Sequence, residues 1–391
     1  MPEVVVPFAA ISIDNDILKK HDYNFLRGIL KQLEQFAGNK DVEIIQTDIV
    51  HKESVKHLAE KINGARSSLD KSIKDVAKYL QLDSKAVDSA FVFLSDPDSD
   101  ELVAEKQLAE FYNRIGAEVL ESDSDTIDVK QLVDMYFSHE MPFEKTGKKK
   151  EEFPDAISLL RLEWWAEELG VHVIAVSRDG GWLKYGEGSK RLTVVDDLAY
   201  AMSLMHEEGI SKTIEKAINA VLSKNDNFSK EIDSAIESCL DGADIAIEFE
   251  SSLYVDYFDT SVNISSHVLQ HKGEDIAVSV VRVENDSVIV RVRAFVECEV
   301  KCGFDFYVYD SFDKEDIKLT TNYKSTTEKF KTDVLLSFSC DLAADLDTFE
   351  LEDIEVESCL QSAHFGDVEV EFEQEPEDEE EYEIASLLSE F

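Results

Sequence analysis

Four acidic residues stand where an α/β protein places its chemistry. Asp14 follows a short apolar strand, and Asp179 follows the apolar run 171–176. Asp155 lies in the first turn of the helix that precedes this run, and Glu53 lies early in a helix after a second strand. Because functional groups of parallel sheets collect at the carboxyl ends of the strands, we expect these four acids to converge.

A cleft lined by several carboxylates needs something to offset their mutual repulsion, and a divalent cation does so. Oxygen ligands without a cluster of His or Cys favour Mg²⁺ or Mn²⁺ over zinc. A cation held in this way positions a water for in-line attack on a phosphodiester and stabilises the leaving oxygen. The four acids therefore indicate an Mg or Mn cofactor and support hydrolysis of phosphodiester bonds.

The elements that must position these acids alternate between strands and helices over the first 210 residues. Short apolar strands at 4–13, 42–45, 117–120 and 171–176 are separated by helical patterns, which is typical of a parallel sheet flanked by helices. The apolar spacing predicts one helix from Phe25 to Phe36 and a long helix over 49–79. Pro154 suits the first turn of the helix that carries Asp155.

The pattern changes after residue 210. Residues 211–244 predict a helical linker, and from 245 to 372 the apolar period becomes two, which predicts an antiparallel β-sandwich or barrel domain. Its longest strand is expected at 288–302. Residues 373–391 form an acidic tail.

The charge of the chain is −45, and it is unevenly distributed. The first 210 residues carry 25 basic and 40 acidic side chains, whereas residues 211–391 carry 14 and 44. This excludes a protein that holds nucleic acid over a broad basic surface. We therefore expect any RNA substrate to bind the first half, and a protein partner or a second copy to bind the acidic β-domain.

Composition also bears on the compartment. No apolar run approaches the roughly 20 residues of a membrane span, and the first residues lack the basic start of a signal peptide. Five Cys without paired spacing predict free thiols and no disulfide framework. These features predict a cytoplasmic protein that does not bind membranes.

Four stretches of the sequence resemble a PIN-domain-like nuclease, in a subgroup with a long helical insert and a Lys-rich loop before a Phe-Pro-Asp-Ala motif. The matching stretches are Ile11-Ser12-Ile13-Asp14-Asn15, residues 46–53, residues 148–157 and residues 173–179. They occur in order over residues 8–205. The resemblance implies a PIN-like parallel sheet and a ribonuclease whose metal is held by the acids matching the family's first to fourth, which are Asp14, Glu53, Asp155 and Asp179.

The sequence departs from the family at two positions. Asp16 stands where the family usually has Asn, and Gly181 stands where another acid or Asn often follows the fourth acid. Whether one or two metals bind is therefore left open. The basic residues near the acids are candidates for binding the phosphates of the substrate, and they are Lys148, Lys149, Lys150 and Arg178.

Each of these residues also has an ordinary structural interpretation. Asp14 and Asp179 could cap a following helix or turn, and Asp155 could be an acid favoured by the helix dipole. The three lysines could form a solvated loop.

Two other functions compete with an endoribonuclease, for which a toxin or phage-defence effector is a biological setting by analogy. Asp14-Asn15-Asp16 is similar to the start of haloacid-dehalogenase-type phosphatases, although Ser177–Trp182 does not supply their later acidic motif. The acidity alone would also suit a non-enzymatic partner-binding protein or nucleic-acid mimic. Convergence of the four acids in one cleft would favour an enzyme, and their dispersal would favour a binding protein.

Overall fold

The computed structural model describes residues 8–81, 85, 87, 98–123, 125–143, 152–206, 208–310, 312, 314–341 and 349–370. These residues form two compact units whose segments interleave along the chain. The first unit contains the chain up to Asp226 together with His271–Val292 and Asp333–Glu357, and the second contains the segments between and after these. The predicted boundaries at 210, 244 and 372 remain a prediction.

The helices are numbered here in chain order. They are α1 (Asn15–Lys20), α2 (Gly28–Gln32), a 3-10 helix (Leu33–Phe36), α3 (Asp48–Leu80), α4 (Asp100–Ile115), α5 (Val129–Ser138), α6 (Phe153–Leu169), α7 (Gly180–Gly188), α8 (Leu198–Met205), α9 (Glu208–Leu222) and α10 (Phe228–Asp241).

The strands are β1 (Phe8–Ile13), β2 (Glu43–Thr47), β3 (Glu118–Leu120), β4 (His172–Val176), β5 (Leu192–Val195), β6 (Ala246–Glu250), β7 (Tyr254–Leu269), β8 (His271–Lys272), β9 (Asp275–Ile276), β10 (Ser279–Val283), β11 (Ser287–Asp310), β12 (Glu315–Ser339), β13 (Glu350–Val356) and β14 (Ser362–Asp367).

The first unit is built on a parallel sheet with the strand order β3-β2-β1-β4-β5. Both faces of this sheet are buried. Ile11 and Ile174 face one apolar cluster, whereas Ala10 and Ala175 face another on the opposite side. The alternation follows from the two-residue period of a strand, and helices cover both faces as a parallel sheet requires. The predicted PIN-like sheet flanked by helices is confirmed.

The expected helix over 25–36 is broken. α2 begins only at Gly28, whose φ of +63° is outside the helical region, and the last turn is a 3-10 helix. A chain that passes through a positive φ cannot continue a helix from Phe25, although the apolar spacing is correct. The long helix is confirmed, because α3 runs from Asp48 to Leu80.

Acids at the end of β13 and directly after it bond to the first turns of the N-terminal half within the first unit. The side chain of Glu357 accepts a 2.5 Å hydrogen bond from the backbone N–H of Ile29 and lies 2.9 Å from Nδ1 of His21. Glu355 accepts a 3.2 Å bond from the backbone N–H of Gly28. These contacts connect residues more than 300 positions apart, so the parallel-sheet region is completed by strands from the distant second half of the chain.

A buried arginine forms a second connection of the same kind. Arg291 of β11 is buried and pairs with Asp197 at 2.9 Å and with Asp333 at 3.5 Å. In the same unit β10 pairs antiparallel with the first residues of β11, and β13 with the last residues of β12.

In the second unit, β7 and β11 form an antiparallel pair with thirteen pairs of opposed residues. This confirms the antiparallel β-rich region, with the exception that β14 and β6 pair in parallel. Phe304 and Phe306 of β11 are fully buried in an apolar cluster that also contains Phe249 and Phe365.

The expectation of free thiols is wrong for two of the five cysteines. Cys239 at the end of α10 forms a disulfide with Cys359, and their Cα atoms are 6.2 Å apart. The two residues lie 120 positions apart, so no local spacing indicates the bond. Cys298, Cys302 and Cys340 are free and buried. Because disulfides are rare in the reducing cytosol, this bond weakens the basis of the cytoplasmic prediction.

Across the described ranges, we find no helix that combines the length and the apolar character needed to cross a membrane.

Candidate active site

The two central strands of the parallel sheet place acids at its topological switch point. β1 and β4 are neighbours, but the chain continues from β1 toward β2 and from β4 toward β5. The connections therefore diverge and leave a crevice at the carboxyl ends, which is where α/β sheets bind ligands. Asp14 follows β1 there, and its backbone N–H bonds to the carbonyl of Val176 at 2.8 Å.

Both carboxylate oxygens of Asp14 accept hydrogen bonds. Oδ1 accepts from the backbone N–H of Asn15, and Oδ2 accepts from the hydroxyl of Ser177, each at 2.6 Å. Asp14 is therefore the N-cap of α1, as its ordinary interpretation holds, but it is also buried. Burial raises the pKa of Asp14 well above its usual value, and the negative charges of Asp16 and Asp155 raise it further.

Asp179 follows β4 and is connected to Asp14 through one hydroxyl. Its backbone N–H donates a 3.1 Å bond to Oγ of Ser177, the same hydroxyl that donates to Asp14. Asp179 caps α7 through Oδ1, which accepts from the backbone N–H groups of Gly181 at 2.7 Å and Trp182 at 3.2 Å. Ser177 was not singled out from the sequence, and it is the residue that joins the first and fourth acids.

Steric crowding explains why position 181 is a glycine. A Cβ there would lie 2.9 Å from Oδ1 of Asp179 and 3.0 Å from the side chain of Pro142. A larger residue would therefore displace the fourth acid, and this explains why no further acid stands at this position.

Asp155 lies in the first turn of α6 and is oriented by a tryptophan. The indole Nε1 of Trp182 donates a 2.8 Å hydrogen bond to its Oδ1. Burial raises the pKa of Asp155 to about 6, and the charges of Asp179 and Glu53 add to this effect, whereas the bond from Trp182 opposes it.

Asp16 is a fifth acid of the site. The sequence indicated it as a departure from the family pattern and as part of the phosphatase-like Asp14-Asn15-Asp16, and its position two residues after Asp14 was the available signal. Its Oδ2 accepts a 3.0 Å bond from the backbone N–H of Arg178, and its Oδ1 is buried with no hydrogen-bond partner among the described residues. Burial is the main cause of its raised pKa, and the charge of Asp179 contributes.

Glu53 lies on α3, on the side facing these acids. Burial raises its pKa, while the nearby charges of His57, Lys19 and Lys56 lower it. Its own charge raises the pKa of Asp155. The four predicted acids thus interact through hydrogen bonds and charge, with Glu53 connected to the others by charge alone.

The donor set suits a divalent cation, because one buried and several half-buried carboxylates repel one another and one buried oxygen of Asp16 has no donor among the described residues. A cation would relieve both costs. As the side chains stand, however, no three His, Cys, Asp or Glu residues of the described segments are close enough to ligate one ion together. The oxygen ligands of the site therefore suit Mg²⁺ or Mn²⁺, whereas the distances between the side chains do not form a complete metal site.

Of the four residues predicted to bind phosphate, the structure describes only Arg178. Arg178 is exposed beside the acids, and its positive charge lowers the pKa of Asp16. Lys148, Lys149 and Lys150 lie outside the described residues, as does the acidic tail, so their roles remain predictions.

A groove of about 680 Å³ lies elsewhere in the first unit, between α5, α6 and α7. It is lined by residues such as His139, Glu163 and Lys184, and none of the five acids contributes to it. The groove therefore gives no support to the chemistry of the site.

The sheet order, the flanking helices and the acids at the switch point define an α/β fold of the nuclease type. A protein-family model described as PIN domain matches residues 11–182, from within β1 to just beyond Asp179. The N-terminal region of this chain is therefore similar to PIN domains, which are generally nucleases. The match covers less than half of the 391 residues and does not identify the Lys-rich subgroup. No curated protein and no solved structure matches the chain.

Proposed function

We propose that this protein is a metal-dependent endoribonuclease that hydrolyses phosphodiester bonds of RNA with Mg²⁺ or Mn²⁺. The observation that carries this proposal is the gathering of Asp14, Asp155 and Asp179 at the switch point of a PIN domain, with the pKa values of Asp14 and Asp155 raised by burial and by neighbouring acids. Dispersed surface carboxylates would not raise each other's pKa in this way.

Asp14, Asp155, Asp179 and Glu53 would hold the cation. When bound, it supplies positive charge that positions the attacking water and stabilises the leaving oxygen. The protein contributes orientation: Ser177 fixes Oδ2 of Asp14, and Trp182 fixes Oδ1 of Asp155. Asp14, Asp155 and Asp179 are therefore each held by a hydrogen bond to a carboxylate oxygen, as a site that must not reorganise during the reaction requires.

RNA is proposed to approach the first unit along Arg178 and the lysines at 148–150, which offset the acidic field next to the site. The region from 211 onward, with 44 acids and 14 basic residues, repels a polyanion. A toxin or phage-defence effector is the biological setting we propose, by analogy.

The test is to incubate the purified full-length chain with a pool of cellular RNA and Mn²⁺ and to sequence the cleaved ends. Asp155→Asn keeps the shape of the side chain and an oxygen for Trp182, but it removes the charge that a cation needs. We expect this variant to lose at least about 100-fold in cleavage rate. Asp134→Asn, an exposed acid of α5, is the matched control and should cleave as the wild type does.

Two results would contradict the proposal. Full activity of Asp155→Asn under Mg²⁺ would show that the third acid has a structural role. Intact RNA after incubation with the folded wild-type chain and either metal would favour the non-enzymatic alternative. Single-stranded DNA, tested in parallel, defines whether the substrate is restricted to RNA.

A further inference from the structure

The antiparallel sheet of the second unit carries aromatic side chains on both of its faces. On one face Phe304 and Phe306 are fully buried. On the other, Tyr254 and Phe258 of β7 and Tyr323 of β12 remain 59%, 37% and 66% exposed. A solvated sheet face is ordinarily polar, so exposed rings on it indicate a surface that binds something.

The strand register shows that these rings share one face. Phe258 is opposite Gly303, Asp256 is opposite Asp305, and Tyr254 is opposite Tyr307. Directly opposed residues of an antiparallel pair project to the same side, and so do residues two positions apart. We call Tyr254, Phe258, Tyr307 and Tyr323 the outer aromatic face.

A glycine in the middle strand brings the outer rings together. The ring of Phe258 lies over Gly303, where a Cβ would be only 2.7 Å from its Cζ atom. The ring of Tyr323 meets Phe258 edge to face at a centroid distance of 5.9 Å. Tyr254 and Tyr307 form a second pair at 5.7 Å. Any side chain at position 303 would therefore displace Phe258 from its contact.

Carboxylates stand between the two ring pairs. The hydroxyl of Tyr254 donates a 3.0 Å hydrogen bond to Oδ1 of Asp256. Asp305 accepts a 2.6 Å bond from the hydroxyl of Thr321 and pairs with Lys318 at 2.8 Å. The pKa of Tyr254 is raised by its bond to Asp256 and by the charges of Asp256 and Asp316.

Aromatic faces next to carboxylates attract cations, because the negative face of a ring and the charge of an acid act on the same group. Arginine suits such a surface best, since its flat guanidinium stacks on rings and bonds carboxylates. The charge of the region from 211 onward adds long-range attraction for a basic partner and repels an acidic one, including a second copy of this chain.

We propose that the outer aromatic face binds an extended, arginine-bearing segment of a partner protein. Alternate side chains of such a segment point to one side and are about 7 Å apart, so arginines four positions apart, about 13 Å, match the separation of the two ring pairs at Tyr254 and Phe258. This function is separate from the proposed nuclease site and does not depend on it.

The experiment measures binding of a fluorescein-labelled twelve-residue peptide of alternating Gly and Arg to the full-length chain at 0.15 M salt. Tyr254→Ala and Phe258→Ala are each expected to weaken the affinity about tenfold. Phe137→Ala, which removes a 74% exposed ring from the first unit, is the matched control and should change the affinity less than twofold. Circular dichroism of each variant confirms that the fold is retained.

Two further arms separate the causes of binding. Tyr254→Leu keeps apolar area but removes the ring, so a weaker affinity for this variant supports recognition of the cation by the ring. Equal affinities of all variants would overturn the proposal, since binding would then follow from net charge alone. Binding of an RNA oligonucleotide that is lost in Tyr254→Ala would also overturn it, because the face would then serve a nucleic acid.

Discussion

The indole of Trp182 donates a 2.8 Å hydrogen bond to Oδ1 of Asp155, so a residue of α7 orients an acid of α6. The bond favours the charged form of the carboxyl, whose pKa nevertheless stands at about 6. Trp182 is itself almost fully buried, which restricts its ring to this orientation.

Trp182→Phe is expected to raise the pKa of Asp155 further, by about one unit, because a bond to the carboxylate is lost. The acidic limb of the pH–rate profile should move to higher pH by a similar amount. The measurement is cleavage rate against pH, with a carboxyl titration followed by NMR in the metal-free protein. Trp164→Phe is the control, since the ring of Trp164 lies against Arg161. If the acidic limb of the pH–rate profile does not move in Trp182→Phe, the hydrogen bond from Trp182 does not affect the pKa of Asp155.

Asp155→Asn is expected to stabilise the metal-free protein at neutral pH. The folded pKa of about 6 lies above the ordinary value of 3.8, so the folded state keeps a proton that the unfolded state loses between about pH 4 and pH 6. The free energy of unfolding of the wild type therefore falls as the pH rises from about 4 to about 6. The asparagine side chain does not titrate, so this contribution to the pH dependence is absent from the Asp155→Asn variant. We expect the Tm of the wild type to fall from pH 5 to pH 7.5 by a few degrees more than that of the variant.

Thermal melts with and without Mg²⁺ check this expectation. Added Mg²⁺ should raise the Tm of the wild type at pH 7.5 and leave that of Asp155→Asn nearly unchanged. Asp134→Asn should melt as the wild type does under every condition. A steeper fall of Tm with pH in Asp155→Asn would contradict the assignment of this group.

Arg178→Ala is expected to raise KM about three- to tenfold with little change in kcat, since the guanidinium is proposed to bind phosphate while the backbone N–H to Asp16 is retained. The slope of log KM against log salt concentration should also become shallower by about one, which corresponds to the loss of one phosphate contact. Steady-state kinetics over a salt series measures both effects. Lys130→Ala, an exposed cation of α5, is the control. A fall in kcat with unchanged KM would place Arg178 in the chemical step instead.

Glu357→Ala is expected to lower the free energy of unfolding by about 1–3 kcal/mol, because it removes the acceptor of a buried N–H of Ile29. Glu357→Gln keeps an acceptor oxygen and should lose less. Urea unfolding followed by circular dichroism measures the difference, with Glu352→Ala, an exposed acid of the preceding strand β13, as the control. Equal stability of the Ala and Gln variants would show that the bond to Ile29 is not the stabilising contact.

The sequence predicted those parts of the fold that depend on local order. Apolar runs and periodicity located the strands of the parallel sheet and the helix α3, because burial on one or both faces dictates these patterns. The interruption before α2 was not predictable, since Gly28 adopts its positive φ where the chain meets Glu357, more than 300 residues away. The buried position of Arg291 has the same cause, because its partners lie on distant segments.

The acids of the site were predictable because each stands next to an element boundary that periodicity reveals. Ser177 and Trp182 were not, since a hydroxyl or an indole has no distinctive spacing and its role depends on which acid it faces. Asp16 was visible as an exception to a family pattern and as part of the phosphatase-like Asp14-Asn15-Asp16, and it was not predicted as a member of the acid cluster. The disulfide between Cys239 and Cys359 left no trace in the spacing of the cysteines, because bonds over such separations are set by the tertiary fold.

That disulfide turns the middle of the chain into a covalent ring. Every residue between Cys239 and Cys359 belongs to it, including the segments 271–292 and 333–357 that pack with the N-terminal region. A single proteolytic cut inside the ring therefore opens it without releasing a fragment. A nicked molecule would migrate as one species until a reductant is added and as two afterwards, whereas a cut before Cys239 separates the chain at once.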